Sequence, residues 1–244
     1  MERSDCLFEN GYRYFYDDRL FPPGTDTFLL SAFPCLTAGC RVCDLGSGTG
    51  LLGLLLVQRQ PKLAVTGVEI LPDAVRLAEK TAAFNGLADR LSIRQGDLRD
   101  ARRLFPTGSF DLVVCNPPYY PVGTGRLAEG AALQTARSEI SCTLEDLCTA
   151  AAWLLRWGGS FCLVHKPERL TDLLCAMRAH AMEPKRLRMV CKTAEAAPSL
   201  LLLEGRRGGK PGLRIDPPLI LQNGLGRPTA EMNAIYFRTQ EDMP

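Results

Sequence analysis

Apolar positions fall in short runs along this chain, and their spacing changes character from one run to the next. Residues 41–45, 64–69, 91–95, 110–115 and 160–165 are runs rich in Val, Leu, Ile or Phe, bounded by Gly, Pro or Asp, as buried strands are. Between them the spacing stretches to the helical period. It is clearest over residues 72–85, where Ala74, Leu77, Ala78, Thr81 and Ala82 share a stripe, Pro72 opens the first turn and Asn85-Gly86 closes the last. A second helix is predicted over 51–58 and a third over 27–33. Strand and helix alternating in this way predict an α/β fold, with a mostly parallel sheet covered by helices on both faces. After Met182 the texture changes, because runs at 185–191 and 199–204 are joined by too few residues for a covering helix. They are predicted to pair antiparallel. The Gly- and Pro-rich stretch 208–244 carries no assignable pattern.

Composition changes this picture little. At 244 residues and 46% apolar, the chain can bury a full core. No apolar run approaches the roughly 20 residues needed to cross a bilayer. Residues 1–20 mix acidic side chains with aromatics, unlike the basic end and apolar run of a secretory leader, so a soluble, cytoplasmic protein without membrane partners is expected. The ten cysteines are scattered and read as reduced thiols. Cys35, Cys40 and Cys43 have the C-x4-C-x2-C spacing of some iron–sulfur proteins, but Cys43 lies in an apolar strand and no second C-x-x-C completes a zinc site. No metal is expected. A net charge of +2 does not announce a polyanion partner. Between Arg178 and Arg214, nine basic residues face three acidic ones, so that stretch could meet phosphates or simply stay wet.

Candidate chemistry begins at the first predicted strand. It runs into Asp44-Leu45-Gly46-Ser47-Gly48-Thr49-Gly50, whose glycines let the backbone approach a ligand. The second strand ends at Glu69, followed by Ile70, where a carboxylate can accept from two ribose hydroxyls; the third ends in Gly96-Asp97-Leu98, placing an acid to meet an adenine amine. Gly48, Gly50 and Gly53 also fit the dinucleotide pattern, yet in that fingerprint the first glycine follows the strand at once. An ordinary turn would explain the glycines alone, but not acids at two successive strand ends. The run Asp44–Gly50, with Glu69 and Asp97, resembles motif I and its partners in class I S-adenosylmethionine-dependent methyltransferases. That resemblance implies a Rossmann-like, doubly wound, seven-stranded sheet ending in an antiparallel hairpin. It also implies S-adenosylmethionine held by Asp44, Gly46, Ser47, Gly48, Gly50, Glu69, Ile70, Asp97, Leu98 and Asn116.

The fourth strand delivers Asn116-Pro117-Pro118-Tyr119 to the edge where open parallel sheets bind ligands. A conjugated nitrogen is a poor nucleophile because its lone pair is delocalised, so acceptors must draw its N–H groups and aim the lone pair. Asn116 offers a side-chain oxygen, Pro117 a carbonyl held by the stiff Pro117-Pro118 turn, and Tyr119 a ring to stack on a planar substrate. Such residues also terminate strands without further purpose. The tetrapeptide resembles motif IV of amino-methyltransferases that act on adenine, on the exocyclic amine of guanine or on a glutamine amide.

A wider resemblance runs through Gly24-Thr-Asp26 with Phe28-Leu-Leu30, Asn116-Pro-Pro-Tyr-Tyr120, and Ala136-Arg137 with Glu139-Ile140. Lys166–Leu170, Glu183–Arg186 and Leu203–Gly205 extend it. Together they resemble bacterial tRNA methyltransferases that modify the 6-amino group of the adenosine beside the anticodon of a valine tRNA. The resemblance implies a tRNA partner whose base stacks on Tyr119 or Tyr120 and a substrate contact for Arg137. Ser138 stands where the resembled sequences carry His. Arg137 can equally pair with Glu139, and Asp26 can cap its helix instead of bordering the cofactor. A protein-glutamine N5-methyltransferase, an rRNA guanine-N2 methyltransferase and a cofactor-binding module without catalysis stay open beside this reading, as does the oligomeric state. Residues 1–40 are expected as an N-terminal cap, 41–205 as the methyltransferase domain and 206–244 as its extension.

Overall fold

The structure is a computed structural model and describes residues 1–8, 11–20, 23–117 and 142–238. A hairpin of β1 (Glu2–Cys6) and β2 (Arg13–Asp17) precedes α1 (Thr25–Ser31). Then strand and helix alternate as the apolar spacing predicts: β3 (Arg41–Leu45), α2 (Leu51–Arg59), β4 (Ala64–Glu69), α3 (Pro72–Phe84), β5 (Leu91–Gln95), a short α4 (Ala101–Leu104) and β6 (Phe110–Cys115). The chain resumes with α5 (Leu144–Leu154), β7 (Leu155–His165), α6 (Leu170–Ala179), β8 (Met182–Cys191), β9 (Pro198–Arg207), β10 (Arg214–Ile220) and α7 (Ala230–Ile235).

Among the described residues, eight strands form one sheet in the order β5-β4-β3-β6-β7-β9-β8-β10. The pairs from β5 to β7 are parallel, while β9 runs antiparallel to both β7 and β8. This is the doubly wound, mostly parallel sheet with its antiparallel pair. An eighth strand, β10, lies parallel to β8 at the edge. It comes from the stretch in which the sequence showed no pattern, because Pro217 and Pro218 interrupt it. Proline is tolerated only where no ladder N–H is needed, and the register shifts there between Asp216 and Leu219. Likewise β7 begins five residues before the expected 160. The Gly158-Gly159 pair is a bulge inside the strand, where its pairing with β6 shifts, and not a boundary.

Side chains alternate between two apolar layers, one on each face of the sheet. Leu200 and Leu202 join Val42, Val114 and Val164 on the face covered by α1 and α2; Leu201 and Leu203 join Cys43, Val113 and Leu163 under α5 and α6. Helix α2 is buried from Leu51 to Val57 and lies so close to the sheet that a Cβ on Gly53 would meet Leu91 Cδ1 at 2.8 Å. The N-terminal hairpin closes the same face. Its backbone polar groups are met by side chains of α3, with Phe15 N–H donating to Thr81 Oγ1 and Arg13 N–H to Asn85 Oδ1. Among the described residues no helix is long and apolar enough to cross a membrane, and no group of three His, Cys, Asp or Glu is arranged to hold a metal ion.

Candidate active site

Strand register assembles the site. Leu45 at the end of β3 lies opposite both Val68 of β4 and Cys115 of β6, and Glu69 lies opposite Gln95. The next residues, Gly46, Ile70, Gly96 and Asn116, therefore leave the sheet side by side along its carboxyl edge. The chain winds away in opposite directions from β3 and β6, so a crevice opens between them. A cavity of about 410 Å³ occupies it. The glycine bend of the first strand and the asparagine of the fourth border the same cleft, together with Asp44, Glu69, Ile70, Asp97, Leu98 and Pro117.

The bend's backbone is left-handed at Gly46, Gly48 and Gly50, with φ of 69°, 54° and 84°. Their roles divide. Gly46 has nothing within 4 Å of a would-be Cβ, so its bare backbone faces open space. Gly50 does not line the cleft: it is the N-cap of α2, and a Cβ there would meet Ala78 Cβ at 2.9 Å, which makes its task helix packing.

The two carboxylates behind the bend are held differently. Glu69 is 5% exposed and accepts from the Gly48 N–H through Oε2 and from the Leu71 N–H through Oε1, both at 2.8 Å. Asp44 is 2% exposed, and its Oδ2 has no hydrogen-bond partner. Burial and the neighbouring Glu69 carboxylate push its acid up to about 7, against a backbone hydrogen bond from Gly53. Ser47 Oγ is also buried without a partner. Orphaned polar atoms of this kind are rare in folded proteins. A lone acid and a lone hydroxyl lining a cavity beside an open glycine backbone fit a ligand that brings a cation and hydroxyl groups.

Asp97 is placed less simply than its sequence position implied. It caps the turn that starts at Leu98, accepts from the Arg99 N–H, and pairs both oxygens with the Arg99 guanidinium, which holds its acid below the ordinary range. Arg99 lines the cleft as well.

On the other side of the crevice, Asn116 Nδ2 donates to Thr27 Oγ1 of α1 at 3.0 Å. Asp26 lies in the first turn of α1 and borders the cavity. It is not the cap: that position belongs to Gly24, which makes no side-chain cap. The cleft is closed beneath by Tyr14, whose hydroxyl is bonded to that of Thr49 and whose acid is pushed up by burial. A capping box between Thr143 and Asp146 starts α5, and Cys142 and Leu147 line the wall. Tyr14, Thr27 and Arg99 were not singled out in the sequence. The only signal for Thr27 was its place between Asp26 and Phe28. Pro118, Tyr119, Tyr120, Arg137, Ser138 and Glu139 lie outside the described residues.

In the basic stretch from Arg178 to Arg214, four of the nine cations are paired with carboxylates among the described residues. Arg178, Arg186, Arg188 and Arg214 pair with Glu183, Glu204, Glu231 and Asp216. Lys185 and Arg207 donate to the carbonyls of Lys210 and Leu155. Cys40 and Cys43 are buried and Cys35 exposed, with the first two thiols pushed up by burial.

Residues 21–180 match the family described as methyltransferase small domain. A tRNA1(Val) (adenine(37)-N6)-methyltransferase of Porphyromonas gingivalis is 34% identical over 189 residues, 75% of this chain and 73% of the relative. One from Yersinia pseudotuberculosis is 35% identical over 142 residues, 58% of this chain and 55% of the relative. Among solved structures, a predicted O-methyltransferase from Agrobacterium tumefaciens superposes with a TM-score of 0.72 at 20% identity, covering 87% of this chain and 96% of its own. A geranyl diphosphate methyltransferase in complex with SAM superposes with a TM-score of 0.55 at 16% identity, covering 74% of this chain and 83% of its own. These two bear on the fold.

Proposed function

The chain belongs to the methyltransferase small domain family, and from that membership we propose its reaction: transfer of a methyl group from S-adenosylmethionine to the exocyclic N6 amine of an adenosine in a tRNA anticodon loop. The observation that carries the reading is the meeting, in one cleft, of the Asp44–Gly48 bend, Glu69 and Asn116.

In this reading Gly46 and Gly48 offer their backbone to the cofactor, Glu69 accepts from its ribose, and Ile70, Asp97 and Leu98 border its adenine. Asp44, buried and short of one partner, would sit behind its positive charge. When bound, the cofactor supplies an electrophilic methyl group. The protein's own task is to make the amine a nucleophile. Asn116 Oδ1 and the Pro117 carbonyl would accept its two N–H groups, localise the lone pair and leave it facing the methyl donor. Tyr119 and Tyr120 would stack on the base once it leaves its loop, with Arg137 beside them. Lys192, Arg206 and Lys210, for which no ion pair is formed among the described residues, would meet phosphates. The names of the relatives and the motif support adenine of tRNA as acceptor.

The test is incubation with methyl-labelled cofactor and separate pools of tRNA, rRNA and protein, followed by nucleoside and amino-acid analysis. Label in N6-methyladenosine from tRNA is expected. Label in methylguanosine of rRNA or methylglutamine of protein would replace the reading, and tight cofactor binding without transfer to any pool would end it.

A further inference from the structure

An asparagine amide has two ends of almost equal shape and opposite meaning. One accepts hydrogen bonds and the other donates, and the side chain must be held with its accepting end toward the amine. Turned by half a revolution, Asn116 would present an N–H to the N–H of the acceptor amine, where two donors oppose each other. In the structure its Nδ2 donates to Thr27 Oγ1 at 3.0 Å, across 89 residues of chain. We propose that Thr27 is the positioning residue that holds the Asn116 side chain against α1, its Oγ1 accepting from Nδ2, and so keeps Oδ1 aimed at the acceptor amine. This deepens, and rests on, the reading of Asn116 as the acceptor of an amine N–H.

Thr27 is suited to the task because its helix is anchored on the side away from the cleft. Leu29 and Leu30 are fully buried, and Phe28 stacks on Tyr236 of the C-terminal stretch with ring centroids 4.3 Å apart and planes 10° apart. The Tyr236 hydroxyl donates to Thr25 Oγ1, and Arg59 ties Ser31 Oγ to the Ile235 carbonyl. A side chain that must position another needs such backing, since a contact that drifts by an ångström no longer holds one geometry. Residues 214–238, which the sequence left without a role, thereby brace the helix that holds the catalytic asparagine.

The experiment compares Thr27→Val, which keeps the shape and loses the hydroxyl, with Thr27→Ser, which keeps the hydroxyl. Turnover on tRNA, KM, cofactor affinity and the Asn116 side-chain amide resonance are measured for both. Thr27→Val is expected to lower kcat by about ten- to a hundredfold, the range in which one misplaced polar contact acts. KM for tRNA and cofactor affinity should stay within about twofold, as expected when ground-state binding is untouched. The Asn116 amide resonance should shift, and Thr27→Ser should restore both kcat and the resonance. The proposal is overturned if Thr27→Val turns over like the unmodified protein with its resonance unmoved, if Ser and Val variants lose kcat alike, or if cofactor affinity falls in step with kcat. Should the unmodified protein transfer no methyl group to tRNA, the proposed acceptor fails by itself. The amide resonance in the two variants then decides for or against Thr27.

Discussion

The two banks of the cleft are built by different means. On the β3–β4–β5 bank the polar groups are fixed by the strand ends and turns of that bank itself. Glu69 is held by N–H groups of Gly48 and Leu71, and Asp97 by Arg99 two residues on. On the β6 bank, Asn116 is held by a side chain from α1, and α1 in turn by the C-terminal stretch. The first bank is set by strand register and glycine geometry, with Tyr14 of the N-terminal hairpin bonded to Thr49 of the bend. The second exists only when three distant parts of the chain have docked. A bank that receives the same ligand each time can be hard-wired into short motifs, whereas one that aims an acceptor depends on tertiary packing.

The comparison breaks most readily at Asn116. Asn116→Ala should lower turnover on the order of a hundredfold or more, the usual loss of one positioned polar group, while cofactor affinity stays within about twofold. Isothermal titration and single-turnover kinetics on the same preparation separate the two. A parallel fall in cofactor affinity would mean that the banks are not independent.

Asp44 is the converse case. Its acid is raised from 3.8 to about 7, so its contribution to the stability of the ligand-free protein is full below about pH 4 and is lost as pH rises to about 7, where the buried group must ionise. Asp44→Asn removes that loss. The variant should be more stable at pH 8 by on the order of 3 kcal/mol, by denaturant titration, and should bind cofactor at least tenfold more weakly. A variant no more stable than its parent would show that the lone carboxylate is not the stored cost that its burial implies.

The same contrast explains what could be read from the amino acids. Core strands, their order and the acids at their ends were legible because period-two burial and glycine turns are local rules, and β3 to β6 have the residues expected of them. The antiparallel pair was legible from a short connection. What escaped has long-range causes. Nothing near Thr27 in sequence says that it touches residue 116, and nothing near Tyr14 says that it lies beneath Thr49. Strand β10 escaped because two prolines erase its alternation while edge pairing tolerates them. Asp97 was assigned a ligand on position alone, and its own turn supplies a competing partner at Arg99.

A smaller effect tests the β6 bank from beside it. His165 ends β7, is 3% exposed, and accepts through Nδ1 from the Lys166 N–H; burial, then the cations of Arg169 and Lys166, lower its acid to about 4. The folded ring stays neutral while the unfolded one titrates near 6.5. Its contribution to stability is therefore complete above about 6.5 and is lost as pH falls to about 4, by on the order of 2 kcal/mol. The two windows overlap between about pH 4 and 6.5 and their slopes are opposite in sign, so these two groups together should leave the stability of the ligand-free protein nearly flat with pH there. His165→Gln should uncover the Asp44 decline, so that stability falls as pH rises from about 4 to 7 in a denaturant titration series.

The smallest expected effect sharpens the comparison furthest, because it asks which bank the N-terminal hairpin serves. Tyr14 is 2% exposed and its hydroxyl is bonded to Thr49, inside the glycine bend. Tyr14→Phe keeps the ring and its stacking on Tyr16, whose centroid is 5.5 Å away, and removes one hydrogen bond. A buried bond of this kind is worth about 1 kcal/mol, which in a chain of this size lowers Tm by roughly 2–4 °C. Because Thr49 belongs to the bend, cofactor affinity should weaken a few-fold while kcat at saturating cofactor holds, the signature of a lost ground-state contact. The opposite pattern, an unchanged affinity with a lower kcat, would move the hairpin to the acceptor bank. It would then act on the cleft as a whole, and the division between a hard-wired bank and a docked one would fail at the residue that lies beneath the bend.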